Sequence, residues 1–200
     1  MRIILIATLF FYFIGLINGQ PVPAPDENIP YLMTFGPKAE TSWGDDDFSQ
    51  TFFFLVPEEF KSPIFIKIYD PDVGGELDEL NNDWDTRVTY SLYGGKECYT
   101  HDDAQSTDPV GNYKSGNLLG TKTFGVNPRY DKGWYVFGPF NPTEGEFVQD
   151  FRGYIFKMIC DGIAGDDGNI YQYYMSISRD ENMPFEGGNA FAYEYSFRMW

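Results

Sequence analysis

The chain has 200 residues, enough for one domain of ordinary size, and 30 acidic against 14 basic side chains give a formal net charge of −16. Because phosphate binding requires a basic patch, this balance argues against nucleic acid and anionic membranes as partners. It favours cations, basic partners or simple solubility. The 19 Phe, 15 Tyr and 4 Trp, together with 21 Gly and 13 Pro, are typical of short strands joined by tight turns.

Residues 1–19 are predicted to be a secretory signal peptide. Arg2 supplies a positive start, residues 3–17 are almost wholly apolar, and the small residue Gly19 precedes the expected cleavage point. The alternative, a membrane anchor, is less favoured because the apolar run is shorter than the roughly 20 residues that a spanning helix needs. Cleavage removes Arg2 and changes the net charge from −16 to −17. We therefore expect a secreted, extracellular or cell-surface protein with no membrane insertion after processing.

Residues 20–30 are rich in proline and polar side chains and are predicted to form an extended linker. Residues 31–200 are predicted to be the folded domain. Trp200 directly follows a strand pattern, which suggests that this domain is the first of a longer protein; a natural end in a buried strand is the alternative.

The folded part shows strand patterns separated by turn signals and no sustained helical period, apart from a short helical turn suggested around residues 147–151. Alternation predicts two inward-facing sets, Ile64, Ile66 and Ile68, and Val88, Tyr90 and Leu92. The predicted strands are 31–35, 50–56, 64–69, 86–93, 118–124, 134–137, 154–160, 171–178 and 190–199. About eight or nine short strands predict an all-β, antiparallel β-sandwich of jelly-roll or C2-like type with long loops.

The strand 64–69 ends in a loop crowded with carboxylates, which are Asp70, Asp72, Glu76 and Asp78. The spacing partly overlaps with an EF-hand loop, but position 12 is Asn81 and the preceding element is a strand, so an EF-hand is rejected. Like charges this close repel one another unless a cation neutralises them. Because Ca²⁺ prefers oxygen ligands in a pliable cage, the loop is a candidate calcium site.

A second strand, 154–160, runs into a similar loop with oxygen ligands at Asp161, Asp166, Asp167 and Asn169. One such loop alone is most often an ordinary Asp/Gly turn. Two loops at strand ends favour one or two calcium-type sites, with Ca²⁺ as the predicted ion. Whether both loops share one ion depends on the strand order, which the sequence leaves open.

Cys98 and Cys160 have two possible states. In a secreted protein an even number of cysteines is compatible with a disulfide, whereas Cys160 also fits as a small buried residue on a strand. Both alternatives stay open at this point.

Trp84 lies among loop residues and is a candidate for an exposed aromatic platform that binds a sugar ring; packing over the first acidic loop is the alternative. Motifs of nucleophilic, metal-dependent or phosphate-binding enzymes are lacking, so no catalytic residue is assigned.

Three segments, Phe52–Pro57, Ile64–Asp72 and Tyr90–Tyr93, resemble the pre-peptidase C-terminal-like and C2-like β-sandwiches of secreted bacterial proteins. The resemblance implies a non-catalytic accessory domain, often stabilised by calcium, in a larger secreted or surface protein. We therefore expect an accessory or adhesive module whose partner is a glycan or a surface protein. The alternatives are a carbohydrate-binding module that uses exposed aromatics and a glycoside hydrolase with a carboxylate pair.

Overall fold

The computed structural model describes residues 21–24, 29–40, 48–106 and 111–193. Ten strands lie in these ranges: β1 (Leu32–Phe35), β2 (Ser49–Pro57), β3 (Ile64–Tyr69), β4 (Arg87–Gly94), β5 (Asn117–Phe124), β6 (Trp134–Phe140), β7 (Glu146–Val148), β8 (Gly153–Ala164), β9 (Gly168–Ser176) and β10 (Asn189–Ala192). Short 3-10 turns at Pro142–Glu144 and Gln149–Phe151 flank β7. The predicted signal peptide and the end of the last predicted strand lie outside the described residues.

The strands form two antiparallel sheets. One has four strands in the order β1-β9-β3-β6, and the other has β10-β2-β8-β4-β5 with β7 paired to the first residues of β8. This arrangement confirms the predicted all-β antiparallel sandwich. Few neighbours in a sheet are neighbours in sequence, so strands distant along the chain meet at each end of the sandwich.

The main core lies between the two sheets. The two predicted inward sets are fully buried there, with β2 and β8 supplying further rings and Met158. Because side chains alternate along a strand, each second residue of β2, such as Phe52 and Phe54, enters this core. Each large apolar side chain buried in this way stabilises the fold by roughly 1.5–3 kcal/mol.

The described residues of the polar insert between β4 and β5 (95–106 and 111–116) lie on the outer face of the larger sheet and are held there by two buried charges. The Glu146 carboxylate accepts backbone N–H groups and a hydroxyl from residues 97–100 at 2.5–3.0 Å. Lys157 Nζ donates to the Tyr113 carbonyl at 2.6 Å and to the Ser115 hydroxyl at 3.1 Å. The insert is therefore anchored at both of its ends.

Part of the predicted linker is attached to the domain. Val22 pairs with Tyr173 of β9, with N–H to carbonyl distances of 2.8 and 2.9 Å. The pairing continues the edge that β1 forms on the four-stranded sheet, so this residue of the proline-rich segment is not a free spacer.

The prediction that the chain leaves the strand after Cys160 is wrong. β8 continues to Ala164 and β9 begins at Gly168, which reduces the second acidic loop to residues 165–167. Asp161 pairs with Thr89 of β4, and Asn169 pairs with Thr34 of β1. Backbone hydrogen bonds to these neighbours override the weak strand preference of Asp and Asn.

Candidate metal centre

Several connections meet at one end of the sandwich. β3 ends at Tyr69, which pairs with Trp134 at the start of β6. The β3–β4 connection (70–86) and the β5–β6 connection (125–133) are therefore neighbours, and the β8–β9 turn (165–167) lies at the same end because Ala164 pairs with Arg87. The strand order thus brings both predicted acidic loops together.

The two acidic loops contact each other directly. Glu79 and Gly168 form a two-way backbone bridge, each N–H to carbonyl distance being 2.9 Å. Asp167 Oδ1 accepts the backbone N–H of Asn81 at 2.9 Å. The carboxylates nevertheless fall into two separate groups with different chemistry.

The first group consists of Asp70, Asp72 and Asp131, and each has a buried carboxylate oxygen without a hydrogen-bond partner. Asp70 Oδ1 accepts the Lys132 N–H at 2.7 Å and Asp72 Oδ2 accepts the Asn127 N–H at 3.1 Å, whereas Asp70 Oδ2, Asp72 Oδ1 and Asp131 Oδ1 accept none. Asp70 and Asp72 are 0% and 1% exposed. Buried polar atoms are nearly always paired, so three such oxygens in one loop cluster need a physical account.

The pKa values of Asp70 and Asp72 reflect burial and the proximity of other carboxylates. Burial first, and then the nearby Asp72 and Asp131 carboxylates, raise the pKa of Asp70 to about 6, against the lowering effect of the Lys132 N–H. Burial and Asp131 likewise raise the pKa of Asp72 to about 6 although it accepts the Asn127 N–H. A divalent cation would reverse this penalty because it favours the ionised form of each carboxylate.

Sequence reasoning missed Asp131, because residues 130–133 have the composition of an ordinary turn. The signal lies in the pairing of Tyr69 with Trp134, which places Gly133 opposite Asp70 and so brings the preceding residues close to it. The Asp70 N–H donates to the Gly133 carbonyl at 2.8 Å, and the Lys132 N–H donates to Asp70 Oδ1 at 2.7 Å. Gly75 supports the approach: a Cβ there would be 2.6 Å from Asp131 Oδ1, and the φ angle of +99° also favours glycine.

The backbone of Asp70 also departs from ordinary strand geometry. Its φ of 52° lies in the left-handed region, which is uncommon for residues other than glycine. This conformation turns the chain from β3 into the acidic loop. Strained positions of this kind cluster at functional sites, where the surrounding structure maintains them.

The other two predicted ligands of the first loop have partners. Glu76 is exposed and pairs with Lys132 Nζ at 2.6 Å. Asp78 accepts the N–H groups of Gly74 and Ile170, each at 2.7 Å. Burial, followed by Asp70 and Asp72, raises the pKa of Asp78 to about 8 in spite of these two hydrogen bonds. Asp78 therefore connects the loop to β9 directly beside the open carboxylates.

The second group, Asp85, Asp166 and Asp167, is the more compact one: among the described residues, its carboxylate oxygens lie within 4.8 Å of one another. Compactness does not make it the better cation site. The Asp167 oxygens already accept three backbone N–H groups, those of Asn81, Asp85 and Thr86, at 2.9–3.0 Å. Asp166 accepts the Asn81 side-chain amide at 3.0 Å. Asp167 is therefore a loop anchor whose oxygens are already used by protein donors, and the second group offers fewer free buried oxygens than the first.

The first group is distinguished by its oxygens and not by its spacing. Asp70, Asp72 and Asp131 each keep a buried carboxylate oxygen that no protein donor occupies. Such oxygens are available to a cation, so the first group is the better candidate for an ion that takes carboxylate ligands.

Asp161 and Asn169 both lie within strands. Asp161 accepts the Ser49 hydroxyl at 2.6 Å and pairs with Lys114 Nζ at 2.8 Å, so its charge is balanced without an ion. The Asn169 amide nitrogen donates to the Tyr90 hydroxyl at 2.9 Å inside the core, whereas its neutral Oδ1 is buried without a hydrogen-bond partner. The structure does not bring either side chain into the group of Asp70, Asp72 and Asp131.

Trp84 adopts the packing alternative. It is partly buried against the main core, and its ring atoms are 3.9 Å from the position that a Cβ on Gly74 would take. The indole therefore covers the first acidic loop from one side. The contact with the loop supports packing, and a sugar-binding role of Trp84 stays a prediction.

Both cysteines are buried free thiols. Cys98 packs with Ile159 on the outer face of the larger sheet, whereas Cys160 points into the core between the sheets. Ile159 and Cys160 are consecutive on β8 and so face opposite sides, which places the two sulfurs on opposite faces of the sheet. The disulfide alternative is therefore wrong, and burial raises the pKa of both thiols to about 12.

Within the described residues, no helix has the length and apolar character needed to cross a membrane. The resemblance to pre-peptidase C-terminal-like and C2-like domains stays a prediction. Compared with known proteins, the chain matches no protein-family profile, no curated protein sequence and no solved structure.

Proposed function

We propose that this protein is a secreted, non-catalytic β-sandwich module that binds a calcium-type divalent cation between Asp70, Asp72 and Asp131. The observation that carries the proposal is the set of three buried carboxylate oxygens without hydrogen-bond partners, one on each of these residues. The module would serve an accessory or adhesive role in an extracellular or cell-surface protein.

The donor set supports calcium over other common ions. Carboxylate oxygens are hard ligands, and they are supplied by loops rather than by a rigid helix, which suits the variable geometry of Ca²⁺. Mg²⁺ requires near-ideal octahedral geometry with shorter bonds, and Zn²⁺ prefers nitrogen and sulfur ligands. His101 and the two thiols are distant in the fold from these carboxylates, and both thiols are buried under other elements.

The ion would also account for the local fold. It would neutralise three carboxylates that belong to two connections, 70–86 and 125–133, and so fix the end of β3 to the start of β6. Asp78 would transmit this order to β9 through its bond to Ile170. Calcium in this position would stabilise the sandwich without taking part in a reaction.

The first prediction is a calcium-dependent thermal stability. For a site with a Kd of about 1 μM, millimolar Ca²⁺ is a 1,000-fold excess, and a ligand at this excess stabilises a protein by about 4 kcal/mol. Millimolar Ca²⁺ should therefore raise Tm by roughly 10 °C over the same protein in chelator. Asp72→Asn and Asp131→Asn should lose most of this shift, since each removes one charged ligand and keeps the side-chain shape.

Glu76→Gln provides the matched control, because Glu76 is an exposed carboxylate in the same loop with Lys132 as its partner. It should keep the full calcium shift. An unchanged Tm of the natural sequence in Ca²⁺ would remove the metal proposal. A shift lost equally in Glu76→Gln would show a general effect of surface charge instead of a defined site.

A further inference from the structure

The outer face of the four-stranded sheet carries a row of aromatic side chains directly beside the acidic loops. Tyr69 of β3 pairs with Trp134 of β6 on one side and with Gln172 of β9 on the other. Tyr31 extends the row at the edge, because the next residue, Leu32, pairs with the residue before Gln172. Tyr31, Gln172, Tyr69 and Trp134 thus form one line across the whole sheet, here called the aromatic row.

The rings of the aromatic row have defined orientations. Tyr31 and Tyr69 are nearly parallel, with an interplanar angle of 14° and centroids 6.5 Å apart. The Tyr69 and Trp134 centroids are 5.2 Å apart. Lys67 Nζ lies 5.2 Å from the centroid of the Trp134 ring, and the Tyr174 ring packs against it at 6.4 Å. The indole is therefore held in place before any ligand arrives.

On the same face of the sheet, another segment of the chain covers the neighbouring row of side chains, whereas the aromatic row stays partly exposed. Lys67 and Tyr174 are buried, and both donate to backbone carbonyls of the segment that follows β9, at Glu181 and Asn182. All four members of the aromatic row remain partly exposed. The fold thus covers one row of this face with its own chain and leaves the next, more aromatic row accessible.

From this geometry we propose that the aromatic row binds a neutral glycan. Tyrosine and tryptophan rings offer flat apolar faces with polar tips, which complement the C–H faces and the hydroxyl groups of a pyranose. Gln172 adds a planar polar side chain in the middle of the row, and a hydrogen bond from its amide to the Pro30 carbonyl at 2.6 Å holds it in place.

Charge selects among the possible occupants of the row. The whole chain carries −16, and an ion held by Asp70, Asp72 and Asp131 would offset only two of these charges. The net charge therefore opposes anionic glycans, and it equally opposes the docking of a second, equally acidic copy of the chain. A neutral sugar polymer incurs neither penalty.

The glycan site would be linked to the metal centre, and to this extent it rests on the proposed function. Asp70 directly follows Tyr69, and Asp131 lies three residues before Trp134. An ion held by these carboxylates would fix the chain segments that carry two of the three rings. We expect chelation to weaken glycan binding as well as stability.

The test measures the retardation of the full chain in native gels that contain soluble neutral polysaccharides (a β-glucan, a mannan, a xylan and a galactan), with polygalacturonate as the anionic comparison. The natural sequence should be retarded by at least one neutral polymer and not by polygalacturonate. Trp134→Ala and Tyr69→Ala should weaken this binding by about tenfold or more. Trp134→Tyr, which keeps a ring, should retain binding within a few-fold.

Phe147→Ala is the matched control, because Phe147 is an exposed aromatic residue on β7, in the other sheet and off the row. It should keep glycan binding. The proposal is overturned if none of the neutral polymers retards the protein, if only polygalacturonate does, or if both alanine variants bind normally. It is equally overturned if sedimentation shows a dimer that these variants dissolve.

The calcium melt separates this inference from the proposed function. Trp134→Ala with an intact calcium shift and lost retardation supports the glycan site. An intact calcium shift in a natural sequence that binds no neutral polymer overturns the glycan site alone. Retardation that chelator leaves unchanged, in a protein without a calcium shift, overturns the metal centre and its link to the row.

Discussion

Aspartate residues at this end of the sandwich have two different roles: some anchor a loop through hydrogen bonds, and others are candidate metal ligands. Asp167 is fully buried and accepts three backbone N–H groups, so its charge is well compensated. Asp70 is equally buried, but one of its oxygens has no partner. The number of donors around each carboxylate, and not its burial, separates a loop anchor from a candidate ligand.

The anchoring role of Asp167 gives a prediction at the residue scale. Asp167→Ala would leave the buried N–H of Thr86 without an acceptor and release Asn81 and Asp85. We expect a loss of roughly 3 kcal/mol in the free energy of unfolding, with or without Ca²⁺, measured by denaturant titration. The reason is that the lost hydrogen bonds join protein groups only.

Asp166→Ala serves as the comparison for this prediction. Its carboxylate accepts one side-chain amide at the surface, so the change in stability should stay within about 0.5 kcal/mol. A large loss of the calcium response in Asp166→Ala would instead place the ion in the group of Asp85, Asp166 and Asp167.

Sequence reasoning identified part of the candidate site and missed part of it for identifiable reasons. Asp70 and Asp72 were predictable because they follow a strand with a clear alternation of isoleucines. Asp131 was not, because its proximity to Asp70 depends on the pairing of β3 with β6, two strands that are far apart in sequence. Asp161 was assigned to a loop because the pair Asp161-Gly162 is typical of turns, whereas pairing with β2 and β4 extends the strand.

At the scale of elements, the inward faces of the strands were predictable and the order of the strands was not. The alternation at Ile64–Ile68 and at Val88–Leu92 depends only on local side-chain periodicity, and the structure confirms both. The outer faces of the strands carry charged side chains that the alternation pattern predicts to be exposed to solvent, but some of them are buried. Lys67 and Lys157 are 2% and 0% exposed because other segments cover them.

The insert between β4 and β5 depends on another buried charge, the Glu146 carboxylate. Burial raises the pKa of Glu146, but hydrogen bonds from Thr100, Tyr99 and Glu97 outweigh it, so the pKa lies below its ordinary value. In Glu146→Ala these donors lose their common acceptor. We predict at least a tenfold faster amide hydrogen exchange at Tyr99 and Thr100, measured by mass spectrometry, with β3 and β9 unchanged.

Glu144→Ala is the control for the insert, since Glu144 is exposed and caps only the short turn after β6. It should leave exchange in residues 97–100 unchanged. Equal protection in Glu146→Ala and in the natural sequence would show that packing of the insert, and not this carboxylate, maintains its position.

For the whole molecule, the crowded carboxylates predict an unusual dependence of stability on pH in the absence of calcium. The pKa values of Asp70 and Asp72 are raised to about 6 and that of Asp78 to about 8, from an ordinary value of 3.8. Between these limits the folded state binds more protons than the unfolded state. The contribution of these groups to stability is therefore complete below about pH 4 and is lost as the pH rises through 6 to 8.

Calcium should reverse this trend, because the ion binds the ionised carboxylates and competes with protons. In chelator, Tm should fall between pH 5 and pH 8; in millimolar Ca²⁺, the gain in Tm over chelator should grow across the same interval. Asp72→Asn removes one of the titrating groups and should flatten both curves. A chelated protein whose Tm rises steadily from pH 5 to pH 8, with the same slope in Asp72→Asn, would show that these carboxylates are neither strained nor coupled to an ion.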